Sequence, residues 1–301
     1  MLRTSLYLTK EALYAVVGQR KGDRLEIHDC RVYPLPDNSL VRGIITDPDA
    51  VRDAVMRAAA ELGSPCKRVE LLLENELTAM KPMTVPRMKK KQLTEFVRME
   101  MSRLCSFGGD SLISYSVVKK QKDSLQILAG AMKRGTAKDY MDVFAQCGMT
   151  VVSMAPALEG LAGLMGFLPR LRDQNVLAVL KENREHVTLA VFDRGICQDS
   201  CQIYCEGGVD TAQNRKLLLG RLTAFQYLQK IRGGENGLDR VILCGNWKGE
   251  ETFWNSLKEK WKEQVCFLDD ETVIGKDAVK NRYSLCEFCC ATGNLLRRRG
   301  Y

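Results

Sequence analysis

The sequence predicts an α/β protein with a duplicated core and a smaller α/β module inserted in its first half. Two observations carry that prediction. Three strand-like runs open the chain at 5–9, 12–18 and 24–33, and the same layout returns at 176–181, 187–192 and 196–204, about 170 residues later. Between these openings, residues 84–154 run through helix, hairpin, helix and strand patterns of their own. Pro82, Pro86 and the basic run 87–91 mark the boundary in front of them.

Each element has a local reason. Residues 21–23 form the turn of the opening hairpin, and Asp47-Pro48 supplies a cap and a first-turn proline for an amphipathic helix reaching about residue 62. A buried strand follows at 70–73. Helix 89–104 places Leu93, Phe96, Val97 and Leu104 on one side, and 112–119 with 124–132 alternate as a hairpin around 121–123. Helix 136–147 ends at Gly148, before a strand at 150–154. The expected organisation is a first core at 1–83, the inserted module at 84–154 and an interdomain helix at 155–175. A second core follows at 176–285, with a small helical insertion near 208–238, and a C-terminal helix at 286–301 returns to the first core.

Composition bounds the function. With 301 residues, 45% hydrophobic and 27% charged, the chain is globular rather than disordered or fibrous. Its net charge of +8 is scattered apart from 87–91 and 297–299, which gives no basic face for nucleic acid. The tail reads as a solvated C-terminal cap. The N-terminus has one basic residue, a short apolar run and no cleavage site, so a cytoplasmic chain is expected. The apolar window 151–168 contains Pro156, Glu159 and three glycines, which favours a buried helix over a membrane span. Twelve cysteines without an export signal are expected to be thiols.

Catalytic constellations are sparse. Cys197, Cys201 and Cys205 would share a metal only on a helix. They follow a β-rich run and a turn, and four residues of strand separate thiols by roughly 13 Å, too far for one zinc. Cys286, Cys289 and Cys290 form a second group. His28 and His186 are the only histidines and neither lies in a metal-spaced cluster. There is no Gly-x-Ser-x-Gly elbow and no P-loop, and the glycine-rich run 233–237 reads as a turn.

A run of loose motifs, in order, carries a family resemblance. They are Leu35-Pro36, Gly43-Ile44-Ile45-Thr46-Asp47-Pro48, Val85-Pro86-Arg87-Met88, Val97-Arg98-Met99-Glu100 and Ser114-Tyr115-Ser116-Val117. Ala129-Gly130-Ala131-Met132-Lys133, Tyr140, Phe144, Cys147-Gly148, Val241-Ile242-Leu243-Cys244-Gly245 and Ala291-Thr292-Gly293-Asn294 continue the series. The chain resembles the type IV pilus assembly protein PilM family, actin-like relatives of the cell-division protein FtsA. The resemblance implies an actin-like (ribonuclease H-like) duplicated core, and a scaffold at the inner face of the cell membrane. It also implies a partner, the cytoplasmic N-terminal tail of a PilN-like bitopic membrane protein, with the assembly ATPase a further candidate partner.

The departures bear on chemistry. Actin-like ATPases hold Mg-ATP with Asp-x-Gly at each of two hairpins, where the carboxylate orders magnesium-bound water and glycine lets amides approach phosphate. The equivalent positions here are Tyr7 and Thr9, then Leu180 and Glu182. ATP and magnesium are therefore doubtful cofactors, and Glu182 is expected to face the phosphate position as a repelling charge. Thr9, Lys10, Gly245 and Asn246 are the candidates for a degenerate ATP site, with Lys10 either a point charge on phosphate or a solvated loop lysine. No metal ligand is expected. Val85, Met88, Leu93 and Phe96 are candidates for a partner-peptide groove, against the competing reading that all four are module core. A nucleotide-binding ATPase switch, and a sugar or acetate kinase relative, are the alternative readings.

Overall fold

The computed structural model describes residues 2–62, 67–104, 110–233, 237–269, 273–275, 279 and 282–297. The tail beyond 297 and residues 234–236 of the glycine-rich run lie outside that set. The chain opens as an antiparallel meander of β1 (Arg3–Leu8), β2 (Ala12–Lys21) and β3 (Arg24–Pro34). A minimal hairpin, β4 (Leu40–Val41) with β5 (Ile44–Ile45), leads to α1 (Pro48–Leu62). The Ala50 amide donates to Asp47 Oδ1 at 3.0 Å, the cap that the sequence announces. Val51, Ala54, Val55, Ala58 and Leu62 make the buried stripe of α1 at helical spacing. β6 (Arg68–Leu73) then returns parallel to β1.

The module follows as β7 (Thr78–Pro86), α2 (Lys90–Leu104), β8 (Ser111–Lys120) and β9 (Ser124–Lys133), with strand order β7-β9-β8. Its small core joins Val85, Leu93, Val97, Met101, Ile127, Ala129 and Ala131. The boundary expected at 83/84 cuts through β7, because Pro82 and Pro86 sit on an edge strand, where a missing amide costs no ladder bond. The far boundary also shifts. α3 (Arg134–Gln146) and β10 (Thr150–Pro156) belong to the first core: Tyr140 and Phe144 pack with α1, and β10 pairs with β6. Leu104, expected on the apolar side of α2, is half exposed, and Met101 takes the buried position.

α4 (Ala157–Met165) is shorter than the predicted interdomain helix and gives way to turns. The second core then repeats the first with β11 (Asn175–Lys181), β12 (His186–Asp193), β13 (Ile196–Tyr204), α5 (Ala212–Gly233), β14 (Arg240–Gly245), α6 (Glu251–Trp261) and β15 (Val265–Phe267). Its strand order β13-β12-β11-β14-β15 matches β3-β2-β1-β6-β10 of the first sheet, which β16 (Ile274–Gly275) extends at the β3 edge. Instead of a small insertion, α5 is the crossover between β13 and β14, with Leu218 and Leu222 buried on the sheet.

The C-terminal helix is likewise short, α7 (Cys289–Asn294), and it packs on α4. Glycine makes that contact: a Cβ on Gly293 would lie 1.9 Å from the Gly160 carbonyl oxygen, and one on Gly160 would lie 2.4 Å from the Cys290 oxygen. α7 also returns to the first core, where Asn294 Nδ2 donates to Ser5 Oγ at 3.0 Å and Arg3 pairs with Glu70 while donating to the Leu295 carbonyl. Among the described residues no helix is long and apolar enough to cross a membrane.

Candidate functional site

The ends of β1, β11 and β14 and the start of α7 converge on a cleft between the two cores, lined by Tyr7, Glu11, Tyr14, Leu180, Glu182, Asn183, Gly245, Asn246 and Cys289. Its free space is about 10 Å³, room for one water. Aromatic rings do the filling. Tyr7 stacks on Tyr14 with ring centres 5.9 Å apart, and Phe288 closes edge-on to Tyr14 at 6.0 Å. The Tyr7 hydroxyl is buried without a hydrogen-bond partner, and burial, with Glu182 adding to it, pushes that phenol well above its ordinary range.

The two hairpin turns meet across the mouth. Lys10 pairs with Glu185, and the Arg184 amide donates to Glu11 Oε1 at 2.6 Å. Lys10, read as a phosphate contact or a solvated lysine, here holds a carboxylate of the other core. Thr9 is consumed inside its own turn, its hydroxyl donating to the Ala12 carbonyl at 3.0 Å and accepting from the Glu11 and Ala12 amides. Gly245 serves close packing: at φ 93°, a Cβ there would lie 2.2 Å from the Lys181 carbonyl oxygen. Asn246 Oδ1 accepts the Lys248 amide at 3.1 Å.

Behind the mouth lies a polar clasp that the sequence reading missed. β6 runs into Glu74-Asn75 and β11 into Glu182-Asn183, and each asparagine serves the other core's glutamate. Asn183 Nδ2 donates to Glu74 Oε1 at 2.5 Å, while Asn75 donates to Glu182 through its amide at 2.6 Å and its Nδ2 at 3.0 Å. Thr188 and Gln202 also donate to Glu182, so this carboxylate is turned into the clasp, contrary to the expectation that it opposes the phosphate position. Asn75 Oδ1 accepts the Leu158 amide at 2.9 Å, tying α4 to the clasp. The signal was the repeated Leu-x-Glu-Asn at residues 72–75 and 180–183.

Burial raises both carboxyls. Glu74 is pushed up to about 8, chiefly by desolvation, with Asn183 opposing and Glu182 reinforcing. Glu182 is also raised by desolvation, against the four hydrogen bonds it accepts. With those four bonds, Glu182 is the better placed of the two to hold charge. At the rim, His186 Nε2 lies 3.1 Å from Glu76 Oε2.

The groove candidates separate. Val85 and Leu93 are inside the module core, whereas Met88 and Phe96 are half-buried against it. The cysteines do not gather into a metal site: a bulge in the β12–β13 pairing puts Cys197 with the interdomain core and Cys201 with the opposite face. Among the described residues no group of three or more potential ligands is placed to hold a metal, and ten cysteines are free thiols.

Residues 7–201 match the family model of the type IV pilus assembly protein PilM, well over half of the chain. The chain belongs to the PilM family. Comparison with curated proteins found no match. Among solved structures, a PilM-PilN type IV pilus biogenesis complex is similar at 16% identity, with 98% of both chains covered and a TM-score of 0.77. A Bacteroides thetaiotaomicron protein with an actin-like ATPase fold is similar at 14% identity, covering 89% of this chain and 90% of that one, with a TM-score of 0.56. The ethanolamine utilization protein EutJ from Carboxydothermus hydrogenoformans is similar at 11% identity, covering 98% and 89%, with a TM-score of 0.52. These likenesses establish the actin-like fold, and the family model makes this PilM relative a pilus assembly protein.

Proposed function

We propose that this PilM-family chain is a non-hydrolysing cytoplasmic scaffold of a pilus-type machine, held at the inner face of the membrane by the cytoplasmic tail of a PilN-like partner. The observation that carries the first half of this reading is the closed cleft. Mg-ATP needs a carboxylate to order the metal's waters and open amides on its phosphates; here Tyr7 and Tyr14 fill the space, and Lys10–Glu185 and Glu11–Arg184 join the two turns. This filling speaks against a magnesium nucleotide, and equally against a kinase. Calorimetric titration with Mg-ATP, paired with melting at millimolar nucleotide, should be silent. A ligand at about 100 times its Kd would stabilise the native state by about 2.7 kcal/mol, so saturable heat with a raised Tm would establish the nucleotide-switch reading instead.

The partner half rests on the family and on the likeness to a solved PilM-PilN complex. An extended tail docks by main-chain hydrogen bonds and apolar pockets. Of the four boundary residues, Met88 and Phe96 keep accessible surface, so Phe96→Ala should weaken binding of a synthetic partner-tail peptide. Equal affinity of wild type and variant in fluorescence anisotropy would remove this boundary as the docking place.

A further inference from the structure

α5 has two apolar faces, and the fold covers only one. Leu218 and Leu222 are buried on the second sheet, yet Leu217, Tyr227, Leu228 and Ile231 are 39, 65, 42 and 63% exposed. At 3.6 residues per turn these four share the outward side of the helix with the exposed Gly220 and Ala224. The result is an apolar stripe about four turns long.

The charged side chains of α5 itself have one sign. The 22 residues of α5 include five basic and no acidic side chains. Lys216 is exposed on one flank and Arg221 on the other. Lys260 of α6 donates to Thr223 Oγ1 at 2.5 Å, which brings it beside the Lys216 flank. Lys260 and Lys262, with Gln226, Gln264 and Trp261, line a shallow recess of about 500 Å³ next to it. Among the described residues no carboxylate pairs with Lys216, Arg221, Lys260 or Lys262.

This arrangement selects among occupants. Two copies meeting stripe to stripe would set Lys216 and Arg221 against like charges, which opposes self-association. An anionic bilayer is complementary: apolar side chains enter the boundary between headgroups and acyl chains, a tyrosine sits at headgroup level, and long basic side chains reach lipid phosphates. We propose that the outward face of α5 docks this protein directly on an anionic phospholipid surface, with Lys216, Arg221, Lys260 and Lys262 on the lipid phosphates. Such a contact is separate from capture of a partner tail, and adds a second point of attachment to the membrane.

The test is flotation of the purified full-length chain with vesicles of phosphatidylcholine alone, or with about a third phosphatidylglycerol. The protein should float with the anionic vesicles only, and less as salt rises. Tyr227→Glu with Ile231→Glu should abolish flotation, and Lys216→Glu with Arg221→Glu should lower the partition coefficient by about tenfold or more. These side chains are exposed, so both variants should keep the wild-type melting temperature and the wild-type affinity for a partner-tail peptide. Failure to float with anionic vesicles, equal binding to neutral vesicles, or flotation unchanged in both variants would overturn the proposal. So would a wild-type dimer in sedimentation that Tyr227→Glu converts to a monomer without vesicle binding, since the stripe would then belong to a second copy.

Discussion

Glu74 is a carboxylic acid kept protonated near neutrality by burial, and its titration couples directly to folding. Its folded value is raised to about 8 from an ordinary 4.5, so between about pH 5 and pH 8 the native state binds more protons than the unfolded one. Stability is therefore fullest below that window and falls as pH rises through it. Glu74→Gln keeps an acceptor for Asn183 and removes its share of the titration; its Tm should fall less across the window than that of wild type and exceed it at high pH. A variant that still loses stability in parallel with wild type would assign the effect to another group. Neither this acid nor its partner stood out in the sequence as structural, although Leu-x-Glu-Asn occurs at the end of a core strand in each half. A carboxylate's role depends on which donors the fold brings to it, and Asn75 reaches Glu182 across 107 positions of sequence. The partners of Thr9 and Lys10 were illegible for the same reason, since Ala12 and Glu185 come beside them only once the turns close.

Helix pairing sets the next set of consequences. Where α4 crosses α7, Gly160 and Gly293 put backbone against backbone, and Gly293→Ala forces the helices apart because the nearest obstacle is a carbonyl oxygen rather than a flexible side chain. Overpacking of this kind costs about 1–3 kcal/mol, readable as a lower urea midpoint with an unchanged slope. In the module, Met101 is fully buried among Val85, Leu93 and Val97, so Met101→Ala should cost about 2–5 kcal/mol in local stability. Hydrogen exchange in α2 and β9 would show it. Elements with strong local signals were legible: the meanders, α1 with its Asp47 cap, the β8–β9 hairpin and the Gly148 stop. The limits of the module were not, because proline breaks a central strand but is tolerated in an edge strand such as β7. α5 read as an insertion because its apolar residues surround the helix, which blurs the periodicity that marks a core-facing side.

One interdomain core joins Tyr7, Tyr14, Leu161, Leu180, Phe192, Phe288 and Leu295 from both halves. The two halves should accordingly melt together, giving one calorimetric transition, while amides of the module exchange earlier than those of β1 and β11 because its core is small and separate. Two resolved transitions, one per half, would mean that the clasp and shared core do not couple them. The duplicated strand order was readable from the two openings, but the seam between the copies was not. That seam is crossed rather than symmetric: the Glu-Asn dipeptide after β6 exchanges partners with the one after β11, whereas the duplicated order makes β11 the counterpart of β1 and β14 that of β6. Each Glu-Asn dipeptide stands where the other half carries different residues, Thr9-Lys10 after β1 and Asn246-Trp247 after β14. Loss of either dipeptide therefore removes a lock that the duplication does not supply a second time.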